Sequence, residues 1–172
     1  MTQYSNEIRI YVACLAANNN GILHGRWIDA DQDADAIQAK ISAMLKASPI
    51  EGAEEWAIHD YEGFEGVSLS EYQGIESVCE NAQFITEHGA LGGKLLAYFG
   101  DLRDAREAME ERYRGQYTSL ADFAQELTEE TTEIPEAFQY YIDWEAMGRD
   151  LAINDVLAIE TAFDEVHIFW NG

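Results

Sequence analysis

The stretch SLADFAQELTEETTEIPEAFQYYID, residues 119–143, sets the reading of the whole chain. Leu120, Phe123, Ala124 and Leu127 fall at i, i+3, i+4 and i+7, the apolar face of an amphipathic helix. Ser119 and Asp122 form a capping signature at its start. On the opposite face Asp122, Glu126, Glu129 and Glu133 recur at i, i+4, i+7 and i+11. Like charges at these spacings repel by about 0.2–0.5 kcal/mol per pair. No Lys or Arg occurs between Arg114 and Arg149 to relieve them. A carboxylate stripe kept unpaired at a cost in stability indicates that the charge itself is used.

The acidity extends outward from this stretch. The 172 residues carry 33 acids against 10 bases, a formal net charge of −23, and the only lysines are Lys40, Lys46 and Lys94. A second base-free span runs from Lys46 to Lys94 and contains Glu62, Glu65, Glu71, Glu76, Glu80 and Glu87. Hydrophobic residues make up 47% and aromatics 12%, so this is a globular chain and not an acidic disordered tail. Such a surface repels nucleic acid and anionic membranes and attracts basic partners. The opening Met1–Glu7 has no basic segment followed by an apolar run, so no signal peptide is expected, and no stretch has the apolar length of a membrane span. Cys14 and Cys79 lie far apart without a CxxC, the pattern of free thiols in a reducing cytoplasm.

The remaining patterns predict an α+β chain of three small subdomains. In residues 1–61, strands over Glu7–Ala16 and Ile22–Ile28 flank an Asn18–Gly21 turn as a hairpin. A helix over Ala34–Ala47 and a strand over Glu54–Tyr61 complete a ββαβ unit. Residues 62–103 read as a helical middle, with short helices over Leu69–Tyr72, Ile75–Ile85 and Leu91–Phe99 broken at glycines. Residues 104–172 form an α+β unit. It has a helix over Leu102–Tyr113, a short strand over Gly115–Thr118 and the acidic helix. Another helix runs from Pro135 through Leu151, and strands over Val156–Thr161 and Glu165–Trp170 meet near Asp164.

Signatures of catalysis or cofactor binding are weak. Asp29, Asp31 and Asp33 resemble the start of an EF-hand loop, but Ala34 and Lys40 stand where Gly and Glu are needed. The acids read better as an N-terminal cluster on the following helix. His24, His59, His88 and His167 lack metal-site spacing, so no metal and no cofactor is expected. Gly89-Ala-Leu-Gly92-Gly93-Lys94 lacks P-loop spacing and reads as a break between helices. With 33 acids, any proposed acid–base pair has almost no specificity.

Several segments together carry a family resemblance. Arg9-Ile-Tyr-Val, Asn19-Asn-Gly, Gly25-Arg-Trp-Ile-Asp and Asp60-Tyr-Glu-Gly-Phe resemble, in order, the first half of the ArdA antirestriction family. Phe123-Ala-Gln-Glu-Leu, Tyr141-Ile-Asp-Trp-Glu-Ala-Met-Gly-Arg-Asp-Leu and Val166-His-Ile-Phe resemble its C-terminal part. The resemblance implies a DNA mimic, usually carried by conjugative elements, that occupies type I restriction–modification enzymes at their methyltransferase–specificity core. It also implies an elongated three-part monomer that dimerises through its C-terminal part.

On this reading the protein is a stoichiometric inhibitor without catalytic residues. Its phosphate-mimicking carboxylates are Asp122, Glu126, Glu129, Glu130 and Glu133, adjoined by Asp104, Glu107 and Glu111. Glu62, Glu65, Glu71, Glu76, Glu80 and Glu87 extend the track. A homodimer at twice −23 would match the charge of roughly 23 base pairs. The candidate dimer stretch is Tyr113, Gly115, Gln116 and Tyr117, a short strand able to pair edge to edge, against the plainer reading that both tyrosines cap the local core. The competing functions are an acidic module for another basic nucleic-acid-binding protein, a salt-adapted structural protein, and an enzyme using a carboxylate pair.

Overall fold

The computed structural model describes residues 7–171, so the opening residues read for a leader lie outside it. The fold is α+β, with two small antiparallel sheets and helices over about half the chain. It divides into two compact units, Met1–Leu102 and Arg103–Gly172.

In the first unit, β1 (Arg9–Cys14) is the central strand, paired antiparallel to β2 (Gly25–Asp29) and β3 (Trp56–Glu62). The alternation of β1 decides its faces. Ile10 and Val12 are buried, whereas Arg9 and Tyr11 turn to the other side, where Tyr11 meets Trp27. The buried face is covered by α2 (Ala34–Lys46) through Ile37, Ile41 and Met44, as their helical spacing predicts. Each such side chain contributes roughly 1.5–3 kcal/mol on burial. Gly25 is required by close approach, because a Cβ there would sit 2.6 Å from the Tyr11 ring.

Three predicted boundaries in this unit are corrected. Strand β1 ends at Cys14, and Leu15–Asn19 forms a short helix, α1, so Asn18 and Asn19 belong to that helix rather than to a tight hairpin turn. The Leu69–Tyr72 segment is not helical. It is too short to repay helix nucleation, and its Glu71 carbonyl instead accepts from the Ile58 amide at 2.9 Å. The helix α3 (Ile75–His88) runs three residues past the predicted end, to Gly89, whose φ of 63° stops it. It packs on α4 (Ala90–Phe99). A Cβ at Gly92 would lie 2.9 Å from the Phe84 carbonyl, so the glycine-rich run here permits close helix packing.

The division between the units falls after the first residue of α5 (Leu102–Glu107), which widens into a π-helical turn over Ala108–Arg112 instead of continuing as the predicted α-helix to Tyr113. Strand β4 (Tyr113–Tyr117) follows and lies at an edge of a sheet ordered β4-β6-β5, with β5 Val156–Ala162 and β6 Glu165–Trp170. The acidic stretch folds as α6 (Leu120–Thr131), capped by the Ser119 hydroxyl, which accepts from the Asp122 amide at 3.1 Å. Phe123, Val156 and Ile168 form the core, with Leu120, Leu127 and Leu151 packed against it. The single helix expected from Pro135 is instead a 3-10 turn over Glu136–Tyr141 followed by α7 (Trp144–Asn154). Asp143 makes the restart, since its carboxylate accepts from the Ala146 amide at 3.0 Å.

Candidate functional site

The apolar side of α6 is spent on the core, which leaves Asp122, Glu126, Glu129 and Glu130 exposed on the rest of the helix. Their rise along the axis is about 6 Å for four residues and about 4.5 Å for three. Glu133 is exposed too, but it lies beyond Thr131, where the helix ends, so the i+11 extension of the stripe is not helical.

The stripe is also less unpaired than its sequence suggests. Glu130 accepts from Arg114 of β4 at 2.7 Å. Burial, and after it the neighbouring Glu126 carboxylate, pushes the Tyr117 phenol up to about 12. Gln125 donates to Glu129 at 3.0 Å. Two carboxylates are therefore held in set directions, Glu130 by strand β4 and Glu129 from within α6.

A break in the β4 ladder makes this possible. Tyr113 pairs with Phe169 and Gly115 with Ile168, so Arg114 is an extra, bulged residue, and Gly115 adopts φ 131°. The bulge turns the two tyrosines to opposite faces. Tyr117 packs edge-on against Phe123 in the core. Tyr113 stacks on His167 and touches Phe169, with its hydroxyl 2.6 Å from His167 Nδ1. Burial raises the Tyr113 phenol, and the Glu165 carboxylate adds to it. Glu165 itself is held below its usual range by hydrogen bonds from Thr161 and His167. Both tyrosines thus pack within their own unit, and Gly115 and Gln116 lie on an edge strand.

Asp104 is half-buried, with Arg103 Nε 3.8 Å away. Glu107 and Glu111 are exposed, but Glu111 sits in the π-helical turn, where the wider winding breaks helical alignment with Asp104 and Glu107.

The first unit carries a comparable surface. On α3, Glu76, Glu80 and Glu87 are exposed opposite the buried Val78, Cys79, Ala82 and Ile85. They occupy i, i+4 and i+11, and the exposed Gln83 fills i+7. This is the same spacing as Asp122, Glu126, Glu129 and Glu133. The repeated interval was readable in the sequence, but Gln83 hides it from a search for acids alone. Glu62 is engaged by Arg9, which also lies over the Trp27 ring at 5.1 Å. Glu71 lies 3.5 Å from His59. Glu65 is half-buried, its backbone at φ 52°.

Both thiols are buried and free. Cys79 donates to the Gln32 carbonyl at 2.7 Å, and burial, with Asp33, Asp31 and Glu80 nearby, pushes it up. This environment favours the neutral thiol over a nucleophilic thiolate. Among the described residues no group of three or more His, Cys, Asp or Glu is gathered as for a metal ion, and no helix is long and apolar enough to cross a membrane.

The antirestriction protein (ArdA) family model matches residues 10–165. No curated protein matches the chain.

Proposed function

The chain belongs to the ArdA family of antirestriction proteins, and on that premise we propose that it acts as a DNA mimic. It occupies the DNA-binding groove of a type I restriction–modification enzyme and inhibits it stoichiometrically, with no covalent step. The observation that carries this reading is the exposed carboxylate face of α6, in a stretch with no Lys or Arg between Arg114 and Arg149. A protein groove that binds duplex DNA gains much of its affinity from cations that neutralise phosphates. Carboxylates held in set directions offer such cations the same charge at less ordering cost than mobile ones.

The working groups are Asp122, Glu126, Glu129, Glu130 and Glu133 with Asp104, Glu107 and Glu111 in the second unit, and Glu62, Glu65, Glu71, Glu76, Glu80 and Glu87 in the first. The protein acts in the cytoplasm as a homodimer, and the open edge of β4 is the surface we assign to self-pairing. The test is competition. The protein is titrated into a type I methyltransferase bound to labelled duplex containing its site, at two salt concentrations. Displacement near stoichiometric amounts that weakens steeply with salt is expected. No displacement at either salt rejects the reading and directs the search to other basic clients.

A further inference from the structure

The segment that joins α6 to α7 carries aromatic side chains the fold does not use. In the 3-10 turn Glu136–Tyr141 no residue is buried. Phe138 is 61% exposed, Tyr140 93% and Tyr141 85%. Three large exposed rings within four residues are costly to leave in water. The segment is anchored at both ends. Thr132 closes α6 by donating to the Thr128 carbonyl at 2.8 Å, and Asp143 caps α7. Within it, the Phe138 amide donates to the Pro135 carbonyl at 2.9 Å.

The surrounding charge selects the occupant. In sequence the rings lie between Glu129, Glu130, Glu133 and Glu136 on one side and Asp143 and Glu145 on the other, all exposed. A second copy docking here would set these carboxylates against their own equivalents, and nucleic acid or an anionic membrane would be repelled. A protein surface rich in arginine fits both features. Its guanidinium groups stack on aromatic faces while their charge meets carboxylates.

We propose that Phe138, Tyr140 and Tyr141 are an aromatic anchor that docks on an arginine-rich protein surface. Building on the proposed function, that surface lies at the DNA-binding groove of the restriction enzyme. Binding then has two separable parts: a salt-dependent one from the carboxylates, and a less salt-dependent one from the rings. A few buried aromatic or arginine contacts commonly dominate an interface, which gives the rings weight out of proportion to their number.

The experiment measures affinity for a type I methyltransferase across a salt series. It compares the wild type, a Phe138→Ala/Tyr140→Ala/Tyr141→Ala variant and a Tyr140→Phe/Tyr141→Phe variant. Circular dichroism and the urea midpoint establish that each is folded, and light scattering gives its oligomeric state. The triple alanine variant is expected to bind at least tenfold more weakly at every salt concentration, with an unchanged slope of log K against log salt. The double phenylalanine variant, which keeps the rings, stays within about threefold of wild type. Wild-type affinity in the triple alanine variant overturns the anchor and leaves the proposed function standing. Loss of self-association in that variant also overturns it, by assigning the rings to a contact between copies. A wild type that fails to bind at low salt overturns both readings together.

Discussion

The Tyr117 ring of edge strand β4 packs edge-on against Phe123 while its phenol is influenced by the Glu126 carboxylate of α6, so the core tyrosine and the charged stripe are parts of one arrangement. The phenol is raised to about 12, against an unfolded-state value of about 10. A raised acid favours the neutral form in the fold. Its contribution to stability is therefore complete below about pH 10 and is lost as pH rises through about 12. Urea midpoints measured from pH 8 to pH 11.5 are expected to fall at the alkaline end. Tyr117→Phe should flatten part of that fall. An identical alkaline slope in the variant would remove Tyr117 from the account.

The α6–α7 crossing depends on Gly148. A Cβ there would lie 2.9 Å from both the carbonyl carbon and oxygen of Leu120, and neither can swing aside as a flexible side chain does. Gly148→Ala is expected to destabilise the second unit by about 1–3 kcal/mol, the usual cost of overpacking. Gly74→Ala is the control, since a Cβ at Gly74 meets nothing within 4 Å. Equal urea midpoints for the two variants would show that the crossing relaxes without cost.

What was legible in the sequence was local. Ile37, Ile41 and Met44 announced α2 because a helix face repeats within one segment, and Ser119 announced the start of α6 because its cap acts three residues away. Elements set by partners elsewhere were not legible. The Ile58 amide of β3 donates to the Glu71 carbonyl, outside the sheet, so the Leu69–Tyr72 pattern was overridden. The bulge at Arg114 exists only against β6, and it decides that Tyr113 and Tyr117 face opposite ways. The candidate site divides in the same manner. The exposure of the α6 carboxylates follows from the position of Phe123 and Leu127, but the bond that orients Glu130 comes from Arg114 on a neighbouring strand.

Neutralising the stripe should separate stability from inhibition. Asp122→Asn/Glu126→Gln/Glu129→Gln/Glu133→Gln removes like-charge repulsion of about 0.2–0.5 kcal/mol per helical pair. It also removes the favourable placement of Asp122 in the first turn of α6, an interaction of about 0.3–1 kcal/mol. The two effects oppose, so the thermal midpoint should change little. Inhibition should weaken step by step as the substitutions accumulate. The dependence of log K on log salt should become shallower with each removed carboxylate that contacts a cation, because fewer charge pairs remain to be screened. Full inhibition by the fourfold variant would count against mimicry by this helix.

The α3 face permits a test in the opposite direction. Glu76, Glu80 and Glu87 already stand at three of the four sequence intervals of Asp122, Glu126, Glu129 and Glu133, all within one helix here whereas Glu133 lies beyond α6, and Gln83 stands in the gap. Gln83→Glu completes the set. Its side chain is exposed, and the change gives up only the contact between Gln83 and the Cys79 sulfur at 3.3 Å. The new carboxylate faces Glu80 at i−3 and Glu87 at i+4, so helix repulsion should cost about 0.4–1 kcal/mol in total. If this face meets a cationic groove, the variant should nonetheless inhibit more strongly at low salt. Its log K should fall more steeply with log salt, because one more charge pair is open to screening. Loss of stability together with a gain in inhibition cannot arise from misfolding. A variant that is less stable and inhibits no better at any salt would place the α3 face outside the contact and leave the carboxylates of α6 as the working surface.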